Sequence, residues 1–124
     1  MINKKVCEFI NSCGAFFVLT IDENFPSGRP FGVIMNYENR LYITTGKNKN
    51  VYGQMKKNEN ICILALKHGA RNWLRAKCTA KECENLDIKK LMIDKFPILL
   101  KRFENFEDTN FAVFEINILN ACFY

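Results

Sequence analysis

The chain has 124 residues and a formal net charge of +5, and 48% of its residues are hydrophobic and 25% charged. This length and composition suit a single globular domain, residues 1–124, and exclude a disordered chain. The longest apolar run near the N-terminus, residues 15–21, is far shorter than the roughly 20 residues of a membrane helix, and no signal-peptide core follows Lys4 and Lys5, so we expect a cytoplasmic protein.

The first half of the chain reads as one helix followed by strands. Residues 3–12 carry apolar side chains at helical spacing, with Asn3 as the candidate cap and Gly14 as the stop. Short turns separate the segments that follow. Three strands are predicted, at residues 15–22, 29–36 and 41–45, and together they suggest an antiparallel meander.

The second half alternates helices and strands. A helix at 49–57 precedes strands at 61–67 and 73–83, with alternate positions of the longer strand apolar and polar. A helix begins at Asn85 and is interrupted by Pro97, and a short helical piece follows it. The last strands are predicted at residues 111–118 and 120–124. Six or seven strands with mostly short connections predict a mainly β (α+β) fold, an antiparallel barrel with short helical inserts.

Cysteine and histidine usage argues against a metal site. The chain has six cysteines, no C-x-x-C pair and only one histidine, His68, so no zinc ligand set can be assembled. With no export signal, free thiols that pack as small apolar side chains are expected rather than disulfides.

The positive charge is concentrated in one segment. Residues 40–57 contain five basic residues and no acidic one, so this segment alone carries a charge equal to that of the whole chain. It includes a predicted strand that passes into a helix through Gly46, Lys47, Asn48 and Lys49, and such a turn suits a phosphate. The alternative is a solvated loop followed by a surface helix.

Three motifs together resemble a known family. Gly28-Arg29-Pro30-Phe31-Gly32, the segment LYITTGKNKNVYGQMKKN and Asn72-Trp73-Leu74-Arg75 occur in the order and spacing of the flavin-binding split-barrel proteins, a superfamily named for pyridoxamine 5′-phosphate oxidase. The chain looks most like the small, single-domain members grouped with nitroimidazole-resistance proteins. The resemblance implies a six- to seven-stranded split β-barrel that forms a homodimer and binds FMN at the subunit interface.

The resemblance also implies which residues bind the cofactor. Along the flavin it places Arg29, Pro30 and Phe31. At the FMN phosphate or the adjoining ring edge it places Thr45, Lys47, Asn48 and Lys49, whereas Lys56 and Lys57 would lie at the solvated end of the helix. From the long strand it brings Trp73 and Arg75 towards the flavin. Without the resemblance, Arg29 reads as an exposed strand entry, Trp73 as core and Arg75 as a surface charge.

The function implied is that of an FMN-dependent oxidoreductase, with NADH or NADPH as a candidate donor and a small molecule as acceptor. No residue is identified as a catalytic acid, base or nucleophile, so a flavin or haem binder without catalysis stays open. A basic barrel that binds nucleic acid is the alternative from another class, although the basic residues are bunched at one turn rather than spread over a sheet.

Overall fold

A computed structural model describes residues 1–124. Three α-helices, α1 to α3, span Ile2–Cys13, Asn50–Lys57 and Leu86–Lys95, and a 3-10 helix spans Pro97–Lys101. None of these helices is long and apolar enough to cross a membrane. Seven strands, β1 to β7, span Phe16–Asp22, Phe25–Phe31, Ile34–Tyr37, Arg40–Gly46, Asn60–Leu66, Trp73–Cys83 and Phe111–Phe123.

All seven strands belong to one antiparallel sheet in the order β2-β1-β5-β6-β7-β4-β3. β2 and β3, at the two edges of this order, do not pair with each other, so the sheet is not closed. Glu38 and Asn39 both adopt positive φ in the tight turn between β3 and β4, a conformation that asparagine tolerates well. The fold is therefore a split barrel with helical inserts, and the predicted fold class is confirmed.

The prediction of one strand over residues 29–36 is wrong. The segment contains the end of β2 and most of β3, separated by Gly32 and Val33. Phe31 pairs with Phe16 at one edge of the sheet, while Ile34 pairs with Ile43 at the other. The chain therefore crosses between the two sheet edges in two residues, which an unbroken apolar pattern does not reveal.

Two smaller predictions also change. Asn3 does not cap α1, because the cap is Met1 and the Asn3 amide donates to the carbonyl oxygen of Asn39 at 2.7 Å. The two predicted last strands are one strand, β7. Opposite Lys77 and Cys78 of β6 the pairing shifts by one residue, which leaves Leu119 unpaired as a β-bulge.

The two faces of the sheet are covered differently. On one face, here called the core face, α1 and α2 bury a core of 20 residues that includes Val6, Ile10, Val51 and Met55. The opposite face is called the outer face. There α3 and the 3-10 helix cover only β3, β4 and one end of β7, and they form a second core of eight residues. The outer face is thus half covered.

Part of the uncovered half of the outer face, around β1 and β5, is apolar. Phe17 of β1 is 50% exposed and Leu66 of β5 is 62% exposed. Together with Leu64, Ala65 and Trp73 they line a shallow groove of about 300 Å³ in which every lining residue is hydrophobic. Exposed apolar residues that lie side by side in this way make the groove a candidate interaction surface.

The N-cap of α3 provides a test of how this helix is held on the outer face. The Asn85 side chain accepts hydrogen bonds from the backbone N–H groups of Asp87 and Ile88, at 2.8 and 3.2 Å. We predict that Asn85→Ala lowers the free energy of unfolding by about 1 kcal/mol, because two N–H groups lose their acceptor. Asn85→Ser, which keeps a cap oxygen, should lose much less in the same denaturant titration, and equal losses would contradict the role of the cap.

Candidate functional site

The turn between β4 and α2 is fixed by hydrogen bonds to Asn110, the residue before β7. The Lys47 N–H donates to the Asn110 carbonyl oxygen at 2.8 Å, and the Asn48 N–H donates to the Asn110 Oδ1 at 2.9 Å. The Lys49 N–H closes the turn on the Gly46 carbonyl oxygen at 3.0 Å. A Cβ on Gly46 would lie 2.6 Å from the Asn48 Oδ1 and 3.1 Å from the Asn110 Nδ2, so a larger residue at this position would displace the ends of these side chains.

Helix α2 begins at this turn without a cap. Its N-cap residue is Lys49, an extended residue whose side chain makes no capping hydrogen bond. The first turn of the helix also contains no acidic residue. Backbone N–H groups that lack intrahelical acceptors therefore lie beside a lysine that forms no ion pair, and this combination favours an anion.

Arg29 of β2 forms no ion pair with a carboxylate. Its guanidinium donates to the Val18 carbonyl oxygen at 3.1 Å, to the Thr20 hydroxyl at 2.7 Å and to the Gln54 Oε1 at 2.7 Å. The Ser27 hydroxyl accepts a further bond at 2.9 Å. Burial lowers the pKa of Arg29, and the charge of Asp22 offsets only part of this effect. Neutral oxygens thus orient the guanidinium while its charge remains available to an anion.

The neighbours of Arg29 point to different faces of the sheet. Phe31 pairs with the buried Phe16 and its ring lies 6.0 Å from the Phe16 ring, so it packs on the core face. Pro30 pairs with Phe17 and is exposed on the outer face. Thr45 of β4 is half-buried and pairs with the buried Ala112 on the core face.

Trp73 and Arg75 form a cluster with Tyr124 on the outer face. The Trp73 and Tyr124 rings stack with centroids 4.3 Å apart and an interplanar angle of 17°. Arg75 donates to the Tyr124 hydroxyl at 2.7 Å, and its guanidinium carbon lies 5.7 Å from the Trp73 ring centroid. Trp73 is therefore half-buried in a surface cluster rather than core, and Tyr124 is a member that the sequence did not indicate.

Glu82 of β6 is a second residue that the sequence did not indicate. Its Oε1 accepts hydrogen bonds from the Tyr52 hydroxyl at 2.7 Å and from the Lys56 ammonium at 3.0 Å, and the Lys47 Nζ lies 3.7 Å from its Oε2. Burial alone would raise the pKa of Glu82, but the bonds from Tyr52 and Lys56 and the charges of Lys56 and Lys47 lower it below its ordinary value. The bond to Glu82 in turn raises the pKa of Tyr52 and of Lys56.

These ion pairs reduce the charge of the basic segment. Lys47 and Lys56 pair with Glu82, and Arg40 pairs with Glu115 at 3.4 Å. Lys56 is thus not simply the solvated end of a helix, as the sequence suggested. The lysines of this segment that form no ion pair are Lys49 and Lys57, at opposite ends of α2.

The structure brings the sequence-predicted site residues together only in part. Helix α2 links the turn at Lys47, Asn48 and Lys49 to Arg29, because Gln54 of the same helix bonds the guanidinium. Trp73 and Arg75 lie on the opposite face of the sheet from Arg29. A ligand held by both groups therefore cannot be enclosed by one face of one chain.

Comparisons with solved structures identify relatives of the whole chain. A NimC/NimA family protein from Clostridium acetobutylicum is 25% identical, with a TM-score of 0.88 over 100% of this chain and 93% of that one. General stress protein 26 from Bacillus anthracis is 17% identical, with a TM-score of 0.79 over 98% of this chain and 92% of that one. The heme storage protein HutZ from Vibrio cholerae is 12% identical, with a TM-score of 0.75 over 98% and 92%.

The two less similar structures share the fold with this chain. No protein of curated function is significantly similar to the chain in sequence. The family model described as pyridoxamine 5′-phosphate oxidase, however, matches residues 2–121, almost the entire chain. By this match, the protein belongs to the pyridoxamine 5′-phosphate oxidase family.

Proposed function

We propose that the protein binds FMN, with the flavin phosphate at the N-terminus of α2. The family typically binds a flavin. The observation that carries the proposal is the pair of uncompensated cations that α2 connects: Lys49 at the uncapped N-terminus and Arg29, which is oriented by Gln54. A phosphate dianion is the part of FMN that such cations recognise.

The donor set fits this group. Lys49 offers a compact ammonium that can form charge-assisted hydrogen bonds with phosphate oxygens. The terminal N–H groups of Arg29 are bonded to neutral oxygens, so Arg29 contributes mainly the attraction of its charge. The helix dipole contributes a further stabilisation of about 0.3–1 kcal/mol to an anion at its N-terminus. The exposed Pro30 on β2 and the adjoining backbone provide an apolar edge for the isoalloxazine.

We further propose that two copies associate through the uncovered half of the outer face. Phe17, Leu64 and Leu66 there form an apolar surface that no helix of the same chain covers. A second copy would bury it and bring its own Trp73 and Arg75 towards the first copy. By symmetry, such a dimer would contain two equivalent sites.

The proposed activity is electron transfer from a reduced donor, NADH or NADPH, to a small-molecule acceptor. The bound flavin supplies the redox chemistry. The residues of the chain would bind and orient the cofactor: Lys49 would bond the phosphate, Arg29 would attract it by its charge, and Arg75, which donates to the Tyr124 hydroxyl, carries a positive charge on the outer face. No side chain is assigned a proton transfer.

The visible spectrum of the purified protein tests the proposal against its alternatives. A flavoprotein shows the visible absorption of the isoalloxazine and bleaches when NADH or NADPH reduces it, whereas a haem protein shows the intense absorption band of the porphyrin. A colourless protein that takes up no FMN and binds oligonucleotides with a steep salt dependence would overturn the proposal in favour of nucleic-acid binding.

Lys49 provides the most direct test of the phosphate site. We predict that Lys49→Ala weakens FMN binding about tenfold, equivalent to about 1.4 kcal/mol, and weakens riboflavin binding much less, because riboflavin has no phosphate. Flavin fluorescence quenching measures both dissociation constants. The matched control is Lys57→Ala, which removes the unpaired lysine at the other end of α2. Equal losses for FMN and riboflavin would remove Lys49 from the site.

Gln54 allows the charge of Arg29 to be neutralised with little change of shape. We predict that Gln54→Glu weakens FMN binding about tenfold and riboflavin binding little, because the new carboxylate pairs with the guanidinium and repels the phosphate. Isothermal titration with the two flavins measures the difference. Gln54→Met, which removes the bond to Arg29 without adding charge, separates the loss of orientation from neutralisation. An unchanged FMN affinity in Gln54→Glu would contradict phosphate binding by Arg29.

Leu66 tests the dimer. We predict that Leu66→Asp converts the protein from dimer to monomer in sedimentation velocity and weakens flavin binding, because a carboxylate cannot be buried unpaired in an apolar interface. Ile98→Asp is the control, since Ile98 is also exposed, at 61%, but lies on the 3-10 helix. A wild-type monomer that binds FMN fully would contradict an interface site.

A further inference from the structure

The two carboxylate oxygens of Glu82 differ in their hydrogen bonding. Only 6% of its side chain is exposed. Oε1 accepts the hydrogen bonds from Tyr52 and Lys56, whereas Oε2 is buried and accepts none. A buried carboxylate oxygen without a donor is costly, so its single charged neighbour, the Lys47 ammonium, acquires particular importance.

Lys47 is held loosely by this oxygen. The Nζ to Oε2 distance of 3.7 Å exceeds that of a charge-assisted hydrogen bond, and 34% of the lysine side chain is exposed. The backbone of Lys47 is fixed, because its N–H donates to Asn110. Only the flexible side chain can therefore move, and it starts from the same turn that precedes the uncapped end of α2.

We propose that Glu82 holds the Lys47 ammonium only in the flavin-free protein, and that a bound flavin phosphate competes with Glu82 for this ammonium and takes it over. This inference rests on the proposed function. The exchange is feasible because Glu82 keeps Tyr52 and Lys56 on Oε1 after Lys47 leaves. A phosphate dianion also carries more negative charge than the carboxylate, and its oxygens would accept charge-assisted hydrogen bonds from the ammonium.

A consequence is that Glu82 opposes phosphate binding in two ways. It competes for Lys47, and its negative charge lies close to the turn where the phosphate would bind. Its effect should therefore be confined to flavins that carry a phosphate. A residue that served only to anchor α2 would change the binding of all flavins alike.

Glu82→Gln distinguishes competition for Lys47 from anchoring of α2. The hydrogen bonds from Tyr52 and Lys56 both go to Oε1, and glutamine keeps one oxygen that can accept them. The glutamine carbonyl can accept from Tyr52 and Lys56, while its NH₂ group replaces Oε2 and releases Lys47. We expect the dissociation constant for FMN to fall roughly three- to tenfold. The dissociation constant for riboflavin should stay within about twofold of the wild-type value. Quenching of flavin fluorescence measures both constants.

Two further variants test whether the change in FMN affinity acts through Lys47. Lys47→Met should weaken FMN binding and not riboflavin binding, and in combination with Glu82→Gln it should abolish most of the gain. Tyr52→Phe removes a bond to Glu82 without altering the Lys47 pair, so it should lower the thermal midpoint of the flavin-free protein while the ratio of FMN to riboflavin affinity is unchanged.

The outcomes distinguish this inference from the proposed function. If the wild-type protein binds neither flavin, the proposed function fails and this inference fails with it. If both flavins bind but Glu82→Gln leaves the FMN to riboflavin ratio unchanged or lowers it, only the role of Glu82 is overturned. Should Glu82→Gln unfold, which the flavin-free thermal midpoint reveals, an unchanged ratio in Lys47→Met overturns the exchange on its own.

Discussion

The burial of α2 against the core face is the constraint on which the candidate site depends. Val51 and Met55 lie in the first core, and this packing fixes both the position and the rotation of an eight-residue helix that would be unstable alone. With the apolar stripe buried, the remaining side chains of α2 have defined directions: Gln54 reaches Arg29 on β2, and Tyr52 and Lys56 reach Glu82 on β6.

The side chains on the two sides of α2 differ in the partners that their charges find. On the β2 side, uncharged oxygens orient Arg29 and leave its charge uncompensated. On the β6 side, a single carboxylate gathers Lys47 and Lys56. The net positive charge of the segment is thereby reduced and redistributed rather than spread evenly. The cation at the helix N-terminus and the guanidinium on β2 remain as the positions where an incoming anion finds charge without displacing a carboxylate.

The elements with a strong local signal could be predicted from the sequence. β6 begins at Trp73 and ends at Cys83 as its alternation predicts, and α3 follows Asn85 as its cap signal predicts. The division of residues 29–36 into two strands was not predicted, because a single glycine, Gly32, inside an apolar segment is also compatible with a bulge in one continuous strand. Similarly, the bulge at Leu119 exists only in relation to the register of β6.

For the site as well, residues adjacent in sequence could be predicted, whereas contacts between residues far apart in sequence could not. The turn before α2 is visible in the sequence because its glycine, asparagines and lysines are adjacent. Glu82 and Tyr124 could not be inferred, because they lie 30 and 49 residues from Tyr52 and Arg75, the residues they bond. The opposite orientation of Arg29 and Trp73 likewise required the pairing of β1, β2, β5 and β6.

The stacked pair of Trp73 and Tyr124 has a practical consequence. Trp73 is the single tryptophan of the chain, and its indole lies against a phenol ring, beside a guanidinium, on the half of the outer face that no helix covers. Nearly all tryptophan emission of this protein therefore originates from one known position. Any molecule that settles on that surface, or any change that parts the two rings, is reported by the intrinsic fluorescence of the unmodified chain, without a label.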